Sequence, residues 1–247
     1  KSLYLEILFN DTELATATGF LVKKNNDLFL ITNRHVVTGR NNETNECLDK
    51  KYSAIPNKLK IWFPYFDNNS YIWKNICWDL YDKDEKPKWI EHPFYKGNVD
   101  VVAINLGNFD KSTFLHNLDS NYKPIVTENV YIIGYPFGFN VNPDNGKYAI
   151  WSSASVASDP DLNLCINGKQ LPAFLVDAKT RQGQSGSPVI YYSSNGVDRQ
   201  ENGIAIYGGP ITHEIGIYSG RINKDSDLGY VWKWSIIKEI LNNKTDE

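Results

Sequence analysis

The chain of 247 residues contains no methionine and only three cysteines. Since the initiator is missing, we expect a trimmed chain: a processed protein or an excised domain. Cys47, Cys77 and Cys165 form no C-x-x-C pair, and three thiols cannot all pair within one chain. Free thiols in a reducing compartment are the simpler interpretation, which favours the cytoplasm. A removed signal peptide would instead allow secretion or a periplasmic location.

Long apolar runs and an excess of positive charge are also missing. The chain has no run of about 18 apolar residues, so we expect no membrane span. A net charge of -3 and an isoelectric point near 5.9 argue against a nucleic-acid partner. With 41% hydrophobic and 22% charged residues, the chain can bury a core as one large domain or two small ones.

Short strands separated by turns dominate the pattern. One series runs from residues 3–9 to residues 99–106, and a second begins at Glu128 after a connector over residues 107–127. The only convincing helix follows Ser235, which can cap it. Ile236, Ile237, Ile240 and Leu241 recur there at helical spacing. The pattern predicts an all-β protein with two barrels or sandwiches and a short C-terminal helix.

The segment Gly183-Gln184-Ser185-Gly186-Ser187-Pro188 is the strongest candidate for chemistry. A serine between glycines sits where the backbone can turn tightly and leave the hydroxyl exposed. The same turn can aim the amides of Gly183 and Ser185, and also that of Gln184, at a developing oxyanion. An ordinary turn rich in glycine and serine is the alternative interpretation.

A serine nucleophile needs a base, and the base needs an orienting acid. Of the four histidines, only His35 ends a strong apolar strand, which would be a rigid mount. Asp100 opens the apolar segment 100–104, where an unpaired carboxylate would be costly. Taken alone, each could be a structural side chain. Together they give the order His, Asp, Ser, which is one of the triad orders found in nature.

At these residues the sequence resembles the chymotrypsin-fold, or trypsin-like, serine peptidases. It is closer to the bacterial HtrA-type and glutamyl-endopeptidase branches than to digestive enzymes. The matching segments are 18–22, 32–37, 100–103, 133–138, 177–178, 183–188 and 229–232. The resemblance implies two six-stranded antiparallel β-barrels. Residues 1–118 would carry His35 and Asp100, and residues 119–247 would carry Ser185 and the terminal helix.

The resemblance also implies a serine endopeptidase that acts on a protein or peptide substrate through an acyl-enzyme. No cofactor or metal is expected, because the histidines are isolated and no H-x-x-x-H or C-x-x-C ligand spacing occurs. In digestive relatives an aspartate precedes the serine and pairs with a newly cut N-terminus. Gln184 cannot form that ion pair, so we expect no activation of that kind.

The substrate pocket is predicted by resemblance alone. Its walls would come from the residues before Ser185 and from two further segments. The candidates are Lys179, Ile206, Tyr207, Gly208 and Gly216. Lys179, with Arg181 nearby, argues against cleavage after lysine or arginine, because like charges would meet. Both side chains could instead face solvent. The loop at residues 81–88 could overhang the cleft or meet a partner.

Two other functions compete with an active peptidase. One is a binding module that kept the fold but lost turnover. The other is a peptidase domain controlled by a regulatory partner or a fused domain within a larger signalling or defence protein. The intact His35, Asp100 and Ser185 favour catalysis.

Overall fold

The computed structural model describes residues 2–67, 70–108, 115–141, 146–200 and 203–242. It is built mainly of β-strands. The strands of the N-terminal half are β1 Ser2–Phe9, β2 Thr12–Lys24, β3 Asp27–Thr32, β4 Lys58–Asp67, β5 Ser70–Asp79, β6 Ile90–Glu91, β7 Val102–Gly107 and β8 Leu115–His116. The first helix, α1, spans Arg34–Thr38 and follows β3.

The C-terminal half repeats the pattern with shorter connections. Its strands are β9 Asn129–Gly134, β10 Ile150–Val156, β11 Leu164–Ile166, β12 Lys169–Leu171, β13 Ala173–Asp177, β14 Pro188–Ser193, β15 Val197–Gln200, β16 Gly203–Ile206, β17 Ile211–Arg221 and β18 Leu228–Lys233. The second helix, α2, spans Ser235–Asn242. Two 3-10 turns lie at Lys96–Asn98 and Pro136–Gly138.

The N-terminal strands form one sheet in the order β5-β4-β1-β2-β3-β7-β6, with β8 attached to β2. This sheet has eight strands where six were expected. The additional pairings come from two-residue strands: β6 pairs with β7, and β8 runs parallel to β2. The middle of β2, residues 17–22, is buried without alternation, so both faces of the strand are covered there.

The C-terminal strands close into a six-stranded barrel in the order β10-β13-β18-β17-β14-β9, as expected. The hairpins β11–β12 and β15–β16 stand apart from it as two-stranded sheets. Asn167 and Gly168 join β11 to β12 with positive φ angles of 50° and 76°, a conformation that suits these two residue types.

Each half has an apolar core of its own, and a third core joins the two sheets. Phe20 and Val101 from the N-terminal sheet pack there with Ile217 and Trp232 from the barrel. Helix α2 contributes the four apolar residues predicted from its spacing, Ile236, Ile237, Ile240 and Leu241, which are all buried. The helix prediction is thus confirmed, although the helix begins at Ser235 itself. This shared core holds the two halves together along the cleft described below.

The connector between the halves is anchored by a buried contact between His116 and Glu214. The N-terminal sheet ends at His116 and the barrel begins at Asn129, so the boundary we propose, between residues 118 and 119, falls in this interval. His116 Nδ1 lies 3.1 Å from Glu214 Oε1 of β17, and the Asn117 amide donates to the same oxygen. Within the described ranges, neither helix is long and apolar enough to cross a membrane.

Candidate active site

His35 lies on the first turn of α1 and not on a strand end as expected. Strand β3 stops at Thr32, Asn33 is extended, and the helix begins at Arg34. Gly39 ends the helix in a left-handed conformation with φ 63°, and its amide donates to the carbonyl of His35 at 3.0 Å. The imidazole is therefore held by one short helix against the end of a buried strand.

Asp100 contacts His35 through two hydrogen bonds. The aspartate is 3% exposed and lies two residues before β7, and Asn33 Nδ2 donates to its backbone carbonyl at 2.6 Å. Oδ1 accepts the backbone N–H of His35 at 2.8 Å, and Oδ2 lies 2.6 Å from His35 Nδ1. A carboxylate can only accept, so the Nδ1 atom carries the proton and Nε2 is left as an acceptor.

Ser219 completes the surroundings of Asp100 and was missed by the sequence reasoning. Its hydroxyl donates to Asp100 Oδ2. Its carbonyl accepts the hydroxyl of Ser185 at 3.0 Å. Ser219 lies two residues before the end of strand β17 with no motif around it, so only the folded chain reveals the contact.

The loop before Ser185 requires glycine. Gly183 has φ 93°, and a Cβ atom there would lie 2.3 Å from the carbonyl oxygen of Tyr135. Within the described part of the chain, the amides of Gly183 and Ser185 donate to no protein acceptor. The Gln184 amide instead donates to Arg181 O at 3.3 Å, so it turns away from the oxyanion position predicted for it.

The side chain of Gln184 is fixed inside the protein. It is fully buried, its Oε1 accepts the Arg181 amide at 2.7 Å, and its Nε2 donates to Ser152 Oγ at 2.9 Å. Both ends of the side-chain amide are therefore satisfied without a charged group.

Two cavities meet at His35. One, of about 550 Å³, also contacts Gly183 and Ser185 and has apolar walls that include Leu14, Ala17 and Val36. The other, of about 360 Å³, is lined by polar and charged groups, among them Asp100, Ser219, Glu43, Lys169 and Arg221. Leu48, from the loop after α1, lines both. The cleft is therefore apolar on one side of His35 and polar on the other.

The residues predicted for the substrate pocket lie elsewhere in the structure. Lys179 and Arg181 are exposed, and Ile206, Tyr207 and Gly208 lie exposed at the end of β16 and just beyond it. Gly216 lies inside β17, where a Cβ atom would meet Trp232 O at 2.4 Å. In the described residues, none of these lines either cavity at His35. Residues 219–221, which begin three positions beyond Gly216 on β17, line the polar cavity instead.

Tyr218, just before this wall, forms a buried hydrogen bond with the Thr180 hydroxyl. Burial raises the pKa of Tyr218 to about 12, although the bond to Thr180 and the charge of Arg221 act in the opposite direction. The phenol therefore stays protonated at neutral pH and can act as a hydrogen-bond donor.

The other histidines and the charged loop lie apart from Ser185. The carboxylates of Glu239, Glu214 and Asp198 pair respectively with His92, His116 and His213. In the loop at residues 81–88, Tyr81 packs on Trp89 and Lys88 lies over Trp78, so the loop packs on its own sheet. No cluster of three or more potential metal ligands occurs among the described residues.

Comparisons with known proteins identify the family of the chain. The family model of the trypsin-like peptidase domain matches residues 17–197, which include all three candidate triad residues. A search of the curated proteins found no significant match.

Among solved structures, the chain is similar to the protease Anisep from Arthrobacter nicotinovorans, with a TM-score of 0.55, 13% identity and coverage of 98% of this chain and 94% of Anisep. Deg5 gives a TM-score of 0.53 and 16% identity, with 96% of this chain and 85% of Deg5 covered. A serine-to-alanine mutant of Rv3671c from Mycobacterium tuberculosis, in its inactive form, gives a TM-score of 0.51 and 15% identity, with 100% of this chain and 88% of that chain covered. At such identities the likeness establishes the fold, and the family match goes further: the chain belongs to the trypsin-like peptidase domain family and is a serine endopeptidase.

Proposed function

We propose that the chain hydrolyses peptide bonds through a Ser185-His35-Asp100 triad and an acyl-enzyme. The Ser185 oxygen attacks the peptide carbonyl while His35 Nε2 accepts the hydroxyl proton. The C–N bond then breaks, and His35 gives that proton to the leaving amine. A water molecule, deprotonated in turn by His35, releases the acyl group and restores the Ser185 hydroxyl.

The two-point contact between Asp100 and His35 is the observation that carries this proposal. It fixes the imidazole tautomer with Nε2 free to accept a proton, and the buried carboxylate stabilises the imidazolium that forms during the reaction. Catalysis needs neutral His35, so activity falls at acidic pH.

We assign the oxyanion hole to the amides of Gly183 and Ser185 and leave out Gln184. The first two have no protein acceptor among the described residues, so they are available to a substrate oxygen. The Gln184 amide is already bonded to Arg181.

The substrate is proposed to be a protein or peptide without a basic side chain on the polar side of the cleft. Lys169 and Arg221 line that cavity against the single carboxylate of Glu43, since Asp100 is committed to His35. The sequence predicted the same preference from the charge of Lys179, whereas this proposal rests on the charge of Arg221. Profiling with a peptide library tests it, and efficient cleavage after arginine would contradict it.

An active-site fluorophosphonate probe tests the triad itself. The native chain should be labelled, Ser185→Ala should not be, and Asp100→Asn should react at least about a thousandfold more slowly because the tautomer is lost. The labelled site is identified by peptide mass spectrometry. Label on a residue other than Ser185 would contradict the assignment.

One observation favours a partner-controlled or silent module as the second candidate. Ser185 Oγ donates to Ser219 O and, in the residues described, makes no hydrogen bond to the His35 ring. A native chain that binds peptides but resists the probe would support this alternative. Labelling that appears only after a binding partner is added would indicate control by that partner.

A further inference from the structure

Thr18 belongs to the N-terminal sheet, but its polar atoms point to the loop that carries Ser185. It is fully buried within β2. Its backbone N–H donates to Ser185 O at 2.9 Å, and its hydroxyl donates to Gly183 O at 2.8 Å. One residue of the first sheet thus holds the carbonyls on both sides of Gln184.

The direction of the Thr18 hydroxyl is fixed by a third contact. The Tyr135 amide lies 3.2 Å from Thr18 Oγ1, and an N–H can only donate, so the oxygen accepts there. Its own proton is then directed to Gly183 O. The Thr32 hydroxyl donates to Thr18 O at 2.9 Å and holds the threonine in turn.

These contacts fix the direction of the Gly183 N–H, which the proposed oxyanion hole uses. Each peptide unit is planar, so holding the units on both sides of Gly183 sets the direction of its N–H. The preceding unit is held by the Phe137 amide, which donates to Gln182 O at 2.6 Å. The following unit is held by the Thr18 hydroxyl. Without that hydroxyl, a buried carbonyl loses its partner and the glycine, with φ 93°, can rotate.

We propose that Thr18 is a positioning residue that keeps the oxyanion loop of the barrel in its active arrangement from the neighbouring sheet. The proposal rests on the triad function given above. Thr18 lies in one half of the molecule and Gly183 in the other. The direction of the Gly183 N–H therefore depends on how the two halves are joined. The Thr18 side chain touches no substrate and acts only through Gly183.

A series of substitutions at residue 18 tests this role. Thr18→Val keeps the shape and the backbone bond to Ser185 but removes the hydroxyl, and kcat on a peptide amide should fall about 10- to 100-fold with KM little changed. Thr18→Ser keeps the hydroxyl and should stay within about threefold of the native kcat. Ser120→Ala is the matched control, since it removes another buried hydroxyl, which donates to Glu214 O at 2.8 Å.

A second readout separates positioning from general loss of structure. Affinity for a peptide aldehyde, which forms an oxyanion with Ser185, should fall in parallel with kcat/KM in Thr18→Val. Binding of an uncleaved peptide should be the same in Ser185→Ala with and without Thr18→Val. If Thr18→Val does not fold, Thr18→Cys, a weak donor, should give an intermediate kcat.

Three results would overturn the proposal. They are a Thr18→Val enzyme with native kcat, a folded Thr18→Ser enzyme as slow as Thr18→Val, and a loss no larger than that of Ser120→Ala. Failure of the triad assignment would look different, because the native chain would then resist the fluorophosphonate probe.

Discussion

The Ser185 hydroxyl donates to the Ser219 carbonyl at 3.0 Å, and the Ser219 hydroxyl donates to Asp100. One residue of β17 therefore contacts both the proposed nucleophile and the proposed acid. It lies on the barrel, whereas Asp100 belongs to the N-terminal half, two residues before β7. The contact consequently joins the two halves at the point where the triad is assembled.

Ser219→Ala should weaken catalysis without abolishing it. The substitution removes one of three donors to the Asp100 carboxylate and leaves both bonds from His35. A fall in kcat of about tenfold is expected, equivalent to about 1.4 kcal/mol of transition-state stabilisation. Steady-state kinetics on a peptide amide measure it. Ser193→Ala, a buried serine at the far end of β14, is the control and should leave kcat unchanged.

Gln184→Leu should lower both stability and activity. Leucine fills a similar volume, but the Arg181 amide then lacks its acceptor, and the half-buried Ser152 hydroxyl loses the N–H from which it accepts. A donor left unsatisfied costs about 1–3 kcal/mol when it is buried, and the oxyanion loop should loosen with it. Urea unfolding and probe labelling rates measure the two effects. Unchanged stability would mean that the side chain of Gln184 does not hold the loop.

Leu48→Ala should change kcat/KM for long peptide substrates and leave the reaction with small phosphonates unchanged. Leu48 lines both cavities beside His35, so it contacts a chain that crosses the cleft but not a small phosphonate. We expect kcat/KM for an extended peptide to change by about tenfold, the value of one lost apolar contact of this size, while the labelling rate stays constant. Leu162→Ala removes another exposed leucine, which is 65% exposed, and should change neither rate.

Glu214→Gln should make the free energy of unfolding depend less steeply on pH in the acid range. Burial raises the pKa of Glu214, but the hydrogen bond and charge of His116 and the Asn117 amide outweigh burial and hold the pKa below the ordinary value of 4.5. A carboxyl with a lowered folded pKa stabilises the protein fully above its unfolded pKa, and this contribution is lost as pH falls through the folded pKa. The native free energy of unfolding should therefore drop below about pH 4.5 more steeply than that of Glu214→Gln.

Urea titrations between pH 3 and 7 check this expectation. Glu46→Gln is the control, because Glu46 is exposed and its pair with Lys50 contributes little at the surface. Identical acid slopes for the native chain and Glu214→Gln would contradict the role of the pair.

The sequence predicted the candidate residues better than the helices and strands that carry them. The apolar spacing in α2 located that helix, since four buried positions at helical intervals leave few alternatives. His35 was predicted on a strand end and lies on α1, because a five-residue helix is too short to produce a periodic pattern. The strands β6 and β8 were missed for a similar reason, as two residues carry no alternation.

The pocket prediction rested on resemblance and stays a prediction. It placed one wall at Gly216, whereas the residues of β17 that line the polar cavity beside His35 are 219–221. The strand also carries bulges in its pairing with both β14 and β18. A bulge depends on how neighbouring strands pack, so local sequence does not reveal it.

By itself the sequence determined the all-β class and the terminal helix and singled out His35, Asp100 and Ser185 as the proposed triad, since each depends on local spacing or on a short motif. The tertiary structure alone decided the contacts of Ser219 with Asp100, of Thr18 with Gly183, and of Leu48 with both cavities. The residues of the two hydrogen-bonded pairs are far apart in the chain, and hydrogen bonds act only at about 3 Å, so these bonds exist only once two sheets have packed on a shared core.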